Sequence, residues 1–167
     1  IDDATGKFIG AMVVARTLGY LNQVHTTLNY SRKLAALGRL MAGVAAVGLS
    51  GQMLGVACID AAGEPNRPAL LWNDGRATAE CAEVEMAVGD FAGLVGCRAM
   101  VGFPAPKLRW LAKHEPAVLD RTRHILLPKD YVRLRLTGEV ASDRADASAT
   151  LLMDTRAGTW SQELLAV

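Results

Sequence analysis

The feature that most constrains this chain is a run of 20 residues without a charged side chain, from Leu40 to Ile59. The length matches a helix crossing a bilayer, but the content does not suit one. Gly43, Gly48, Gly51 and Gly55 recur through it, Ser50 and Gln52 stand at its centre, and no aromatic residue marks either end. Each glycine weakens a helix interior by about 0.5–1 kcal/mol relative to alanine, whereas a tight turn uses it well. The run is therefore expected not to span a membrane. It should form two short buried strands, Val44 to Leu49 and Val56 to Ile59, joined as a hairpin through Ser50-Gly51-Gln52.

With 167 residues, 51% of them hydrophobic, the chain can bury the core of one globular domain. Eighteen Lys and Arg against 17 Asp and Glu leave a net charge of +1, with no basic surplus to grip a nucleic-acid backbone. Few aromatics (5%) and 16 glycines favour an α/β domain over an aromatic-rich β-sandwich. Cys58, Cys81 and Cys97 cannot all pair with one another and form no C-x-x-C, which points to a reducing, cytoplasmic compartment. Asp2 and Asp3 stand where a secretory leader would be basic.

Along the chain, residues 1–43 show little sustained periodicity until Ser31, a good helix cap. Leu34, Leu37, Leu40 and Met41 then recur at helical spacing, so a helix is expected near 31–43, with a second unit over 44–167. Ala69-Leu70-Leu71-Trp72 reads as a buried strand. Thr78 to Val88 reads as an amphipathic helix with Cys81, Val84 and Val88 inward and Glu80, Glu83 and Glu85 outward. A short helix over Pro106 to His114, stopped or redirected by Pro116, should precede a strand at His124 to Leu127 and a helix at Asp130 to Leu136 ended near Gly138. A strand at Val140 to Ser142, a polar turn from Asp143, an apolar piece Leu151 to Met153 and a terminal helix opened by Ser161 complete the reading.

Ligands of α/β sheets gather at the carboxyl ends of strands, which draws attention to Asn73-Asp74-Gly75-Arg76 after the third apolar run. Amide, carboxylate and guanidinium together could clasp the hydroxyls of a polyol. The same residues also suit an Asp-Gly turn with Arg76 opening the next helix, and the residues alone leave both readings open. Ser50-Gly51-Gln52-Met53 is a second candidate, or merely a glycine turn. Ala4-Thr5-Gly6-Lys7 is no phosphate loop, because Phe8 stands where Ser or Thr must hold the metal. His25, His114 and His124 are isolated, so no metal site is expected. No G-x-S-x-G occurs and no cysteine has a histidine near it in sequence, which leaves nucleophilic hydrolysis without support.

Five stretches, in order, resemble one family. They are Val47-Gly-Leu-Ser-Gly-Gln-Met53, Arg67-Pro-Ala-Leu-Leu-Trp-Asn-Asp-Gly-Arg76, Gly102-Phe-Pro-Ala-Pro-Lys-Leu-Arg-Trp-Leu-Ala-Lys-His114, Leu127-Pro-Lys-Asp-Tyr131 and Ser142-Asp-Arg-Ala-Asp-Ala-Ser148. Together they are similar to the amino-terminal half of the FGGY carbohydrate kinases, whose pentulose-phosphorylating branch reads G-Q-M-H-G, L-W-N-D-G-R, G-F-T-A-P-K-L and L-P-K-D-Y. The resemblance implies an incomplete ribonuclease-H-like (actin-like ATPase) domain, α/β, with a mixed sheet and flanking helices. It implies transfer of the γ-phosphoryl of ATP, with Mg2+, to a ketose in the cleft between two domains. D-xylulose is the expected acceptor, with ribulose, glycerol or a non-catalytic polyol-binding role as alternatives.

On that resemblance the loop Gln52, Met53, Leu54 and the segment Trp72, Asn73, Asp74 face the sugar. Gly102 and Phe103 line the same site, and Arg76, Asp143 and Asp146 support it. Leu54 replaces the family's substrate-touching histidine and so removes a hydrogen-bond partner, while Pro104 replaces a threonine. Ile1-Asp2-Asp3-Ala4-Thr5 matches the family's D-L-G-T-S phosphate turn only at Ile1, Asp2 and Thr5. The family's general base and nucleotide domain have no counterpart before Val167. The expectation is therefore a fragment inactive by itself, with no tightly held ATP or Mg2+, and prone to self-association through an apolar face meant for the other domain.

Overall fold

In the computed structural model of this chain, which describes residues 11–15 and 47–167, the uncharged run yields two strands that do not pair with each other. Strand β1 (Ala11–Ala15) lies parallel to β2 (Val47–Gly51), with Ala11 opposite Val47 and Ala15 opposite Gly51. Strand β3 (Ala57–Ile59) runs antiparallel to β4 (His124–Leu126). The expected hairpin is thus overturned. Its reason lies in the hydrogen bonds of 56–59: Val56 exchanges two backbone bonds with Leu70, at 2.8 and 3.0 Å, and Cys58 accepts from Asn66 N at 3.0 Å. Ala57 and Ile59 pair with β4 on the other edge. No edge is left for β2. Among the described residues no helix is long and apolar enough to cross a membrane. The helix expected near 31–43 lies outside the described residues, and β1 is the described part of the start.

Three prolines open helices rather than ending them, since the first helical position needs no N–H and favours their fixed φ. After α1 (Thr78–Ala87) and α2 (Phe91–Val95), Pro104 opens α3 (Pro104–His114), Pro116 opens α4 (Pro116–Asp120) and Pro128 opens α5 (Pro128–Thr137). Helix α3 ends at His114, and Pro116 redirects the chain into a further helix. Gly138, with φ 78°, closes α5 in the left-handed cap that its lack of a Cβ permits.

Two expected strands do not form. Ala69 to Trp72 is bridged only at Leu70, because the chain turns directly afterwards, Asp74 N donating to Leu71 O at 3.1 Å. Val140 to Ser142 merely spans the gap between Gly138 and Asp143, with Val140 exposed. Asp143 instead caps α6 (Arg144–Ser148), its side chain accepting from Asp146 N. A hairpin that the sequence reading did not contain, β5 (Met153–Asp154) with β6 (Thr159–Trp160), follows. Ser161 caps α7 (Gln162–Leu165) as expected.

Strand β3 stands between two cores and alternates between them, as a strand's period of two requires. Cys58 packs with Val56, Leu70 and Leu111, while Ala57 and Ile59 pack with Leu126 and Tyr131. A third core joins Val84, Val88 and Phe91 to Ala105, Leu151 and Leu164. Glu80, expected outward, is buried. Helix α3 brings Lys113 against α1, and the Glu80 carboxylate accepts from Lys113 Nζ at 2.8 Å, which is what makes its burial tolerable.

Candidate functional site

Lysine 107 lies one turn into α3, among Ala105, Pro106 and Leu108, and its side chain has no exposed surface. A buried ammonium needs acceptors. Its Nζ donates to the Leu54 carbonyl at 2.8 Å and to the Gly102 carbonyl at 2.6 Å. Leu54 has φ 64°, a left-handed conformation that is costly for a residue with a Cβ. Gly102 lies so close under Trp72 that a Cβ there would sit 2.6 Å from the Trp72 carbonyl oxygen. The segments around 52–54, 72–74 and 102–103, distant in sequence, therefore meet around this lysine.

The turn closes one step earlier than the Asp-Gly reading has it, with Asp74 N on Leu71 O, and the helix begins at Thr78, so Arg76 stands ahead of it rather than opening it. Asp74 Oδ1 accepts from Arg76 N at 3.1 Å and from Arg76 Nε at 2.8 Å. The Arg76 guanidinium lies 4.8 Å over the Trp110 ring, which stacks on His114, and its Nη1 is 3.9 Å from Glu115. Burial would raise the Asp74 pKa, but the Arg76 hydrogen bonds outweigh it and hold the carboxyl below its usual range. For Lys107, burial dominates and lowers the ammonium to about 8, against a partial upward pull from Asp74.

Asp143 and Asp146 belong to a second cluster, around Lys129. This Nζ reaches Asp130 Oδ1 at 2.6 Å, Asp143 Oδ2 at 2.8 Å and Asp146 Oδ2 at 3.3 Å. Burial opposes the charge on Lys129, yet the hydrogen bonds it donates to Asp130 and Asp143 prevail and raise its pKa. The same lysine holds Asp143 below the carboxylate range, whereas burial pushes Asp146 up. The two clusters are joined through β2, because a Cβ at Gly51 would meet Lys129 Cβ at 3.3 Å and Gln52 to Leu54 follow directly. A cleft of about 460 Å3 opens beside Lys129, between Val47 and Leu49 on one side and Arg133 and Leu136 on the other; neither Asp74 nor Gln52 lines it.

Of the residues singled out from sequence, Leu54, Gly102, Trp72 and Asp74 are thus gathered at Lys107, and Asp143 and Asp146 at Lys129. Met53, Trp72 and Asn73 are exposed, Phe103 is half-buried, and Gln52 keeps its Oε1 buried without a protein partner. Neither lysine had been assigned a role. The available signal was a lone cation within an apolar helix start, Ala105-Pro106-Lys107-Leu108, and another directly after the helix-opening Pro128. Among the described residues no group of three His, Cys, Asp or Glu is arranged to hold a metal ion, and the carboxylates that do gather enclose an ammonium.

The model of the amino-terminal domain of the FGGY family of carbohydrate kinases matches residues 21–167. A xylulose kinase from Klebsiella pneumoniae is 46% identical over 123 residues, covering 74% of this chain and 26% of the relative. One from Escherichia coli K12 is 44% identical over 136 residues, 80% of this chain and 28% of the relative. The crystal structure of a xyloylose kinase from Brucella ovis superposes with a TM-score of 0.72 at 43% identity, over 82% of this chain and 29% of that one. The fold and its five gathered segments thus define an α/β unit of the actin-like, ribonuclease-H-like ATPase type. The chain belongs to the FGGY family of carbohydrate kinases. It spans about a quarter of the length of these curated relatives.

Proposed function

We propose that residues 44–167 form the sugar-side wall of an ATP-dependent kinase whose acceptor is a pentulose, D-xylulose first. The observation that carries this reading is the meeting of 52–54, 72–74 and 102–103 around one buried lysine. Sugar recognition needs fixed polar groups converging on one place. The relatives named xylulose kinase support the choice of acceptor. Asp74 is held ionised with one oxygen occupied by Arg76, which leaves Oδ2 as the acceptor for a sugar hydroxyl. Met53, Trp72 and Met100, each more than half exposed on these loops, would supply the apolar lip of the wall and a face for self-association.

The test is calorimetric titration of the 167-residue chain with D-xylulose, D-ribulose and glycerol. Xylulose should bind the tightest of the three, and Asp74→Ala should weaken it about tenfold or more, the loss of roughly one charge-assisted hydrogen bond. Leu54→His should strengthen it by a similar factor, since it restores a donor in a residue type more at ease with positive φ. Equal binding of all three ligands, or none that Asp74→Ala alters, would remove the pentulose reading.

A further inference from the structure

We propose that Lys107 is the positioning residue of this wall: its ammonium fixes the Leu54 and Gly102 carbonyls, and thereby the 52–54 loop and the 102–103 turn, without touching the ligand. The inference rests on the sugar-side reading above and adds to it the device that makes two loops into one surface. Lys107 has no exposed surface, and its ammonium donates to main-chain carbonyls from two different loops. Burying an ammonium against neutral carbonyls is a poor way to stabilise a core, because an apolar side chain of similar length avoids the desolvation cost. What the ammonium offers is directional bonding to two carbonyls at once. One of them belongs to Leu54, whose positive φ persists only where its surroundings impose it.

The charged group acting on Lys107 from the neighbouring segment is Asp74, itself bonded to Arg76. Asp74 is held below its usual range and does not titrate near neutrality, so a change in the alkaline region reports on the lysine. Deprotonation of Lys107, at about 8, leaves amine donors but removes the charge that strengthens both bonds.

The experiment measures D-xylulose affinity from about pH 7 to 9.5 for the full chain, for Lys107→Arg and for Lys107→Met, together with amide hydrogen exchange of each. The unaltered chain should lose about tenfold in affinity through pH 8, the equivalent of roughly 1.4 kcal/mol. Lys107→Met should bind about tenfold more weakly and independently of pH, and Lys107→Arg, if it folds, should be flat because arginine keeps its charge. Global stability must move the other way. The unfolded lysine keeps its proton up to about 10.5, so between 8 and 10.5 the unfolded state binds more protons and the unaltered chain gains stability relative to Lys107→Met as pH rises. Binding that falls while stability rises separates a positioning role from a structural one. Binding that is level through pH 8 would overturn the inference. Should xylulose fail to bind at any pH, the sugar-side reading falls, and exchange decides this inference alone. Faster exchange in Lys107→Met confined to 52–55 and 102–103 upholds it, and uniform or unchanged exchange refutes it.

Discussion

Two lysines organise this molecule, and they differ in what surrounds them. Lys107 has main-chain carbonyls within bonding distance, with Asp74 further off, and burial drives its pKa down. Lys129 has three carboxylates within 3.3 Å, and its pKa goes up although it too is largely buried. The lesson is that burial alone does not decide a lysine's behaviour. A cluster of opposite charge makes Lys129 a permanent electrostatic bolt, whereas neutral dipoles make Lys107 a grip whose strength depends on pH.

Removing the bolt should produce the largest effect. Lys129→Met leaves Asp130, Asp143 and Asp146 facing one another with no cation between them, and Asp130 is almost fully buried. Breaking a buried ion pair from one side costs about 3–5 kcal/mol. Urea unfolding at neutral pH should show a loss of that order, and the loss should shrink as pH falls into the carboxylate range, where protonation relieves the repulsion. An effect below about 1 kcal/mol would mean that the cluster behaves as a surface network and that the contrast with Lys107 is overstated.

The second effect tests the grip through its geometry. Gly102→Ala would place a methyl 2.6 Å from the Trp72 carbonyl oxygen, and the obstacle is backbone on both sides, so neither loop can yield by turning a side chain. A cost of about 1–3 kcal/mol is expected from such overpacking. The Gly102 carbonyl should shift away from Lys107 Nζ at the same time. Thermal denaturation measures the first and the loss of slow exchange around 102–103 the second. Unaltered stability would show that the two loops are less closely apposed than the contact implies.

How much of this was legible beforehand follows from the range over which each signal acts. Local chemistry was readable: Ser161 as a cap, Gly138 after a helix, and the helix from Thr78 follow from neighbours within a turn or two. The five family-like stretches also pointed to the family. Pairing was not readable. The tetrad from Ser50 to Met53 offers the glycine of a hairpin, yet the edges of β3 are claimed by Leu70 and by β4, some 14 and 67 residues away. Nothing within the uncharged run records those partners. Glu80 was misjudged for a similar reason, since a carboxylate can be buried only where a distant cation meets it, and Lys113 lies on another helix. The roles of Lys107 and Lys129 were hidden because a lone lysine in a helix start reads as surface until its acceptors are known.

The smallest expected effect concerns Asp143, the exposed member of the Lys129 cluster, with 54% of its side chain accessible. It has two functions: it caps α6 by accepting from Asp146 N at 3.0 Å, and it pairs with Lys129 at 2.8 Å. Asp143→Asn keeps the first, since asparagine caps as well as aspartate, and deletes the charge of the second. Exposed pairs contribute between about 0 and 1 kcal/mol, and Lys129 retains Asp130 and Asp146. The difference from the unaltered chain should therefore stay under about 1 kcal/mol at neutral pH. Its pH dependence follows from the lowered pKa of Asp143: the contribution is present above the unfolded value of 3.8 and is lost as pH falls through the folded one. Stability curves of the two chains should converge in acid. Combined with Lys129→Met, the substitution should become neutral or favourable, because it then removes one of three uncompensated carboxylates rather than one partner of a cation. No corresponding cycle can be run at Lys107. The Leu54 and Gly102 carbonyls are main-chain atoms that no substitution removes, so in these two bonds the lysine is the side that mutation can reach.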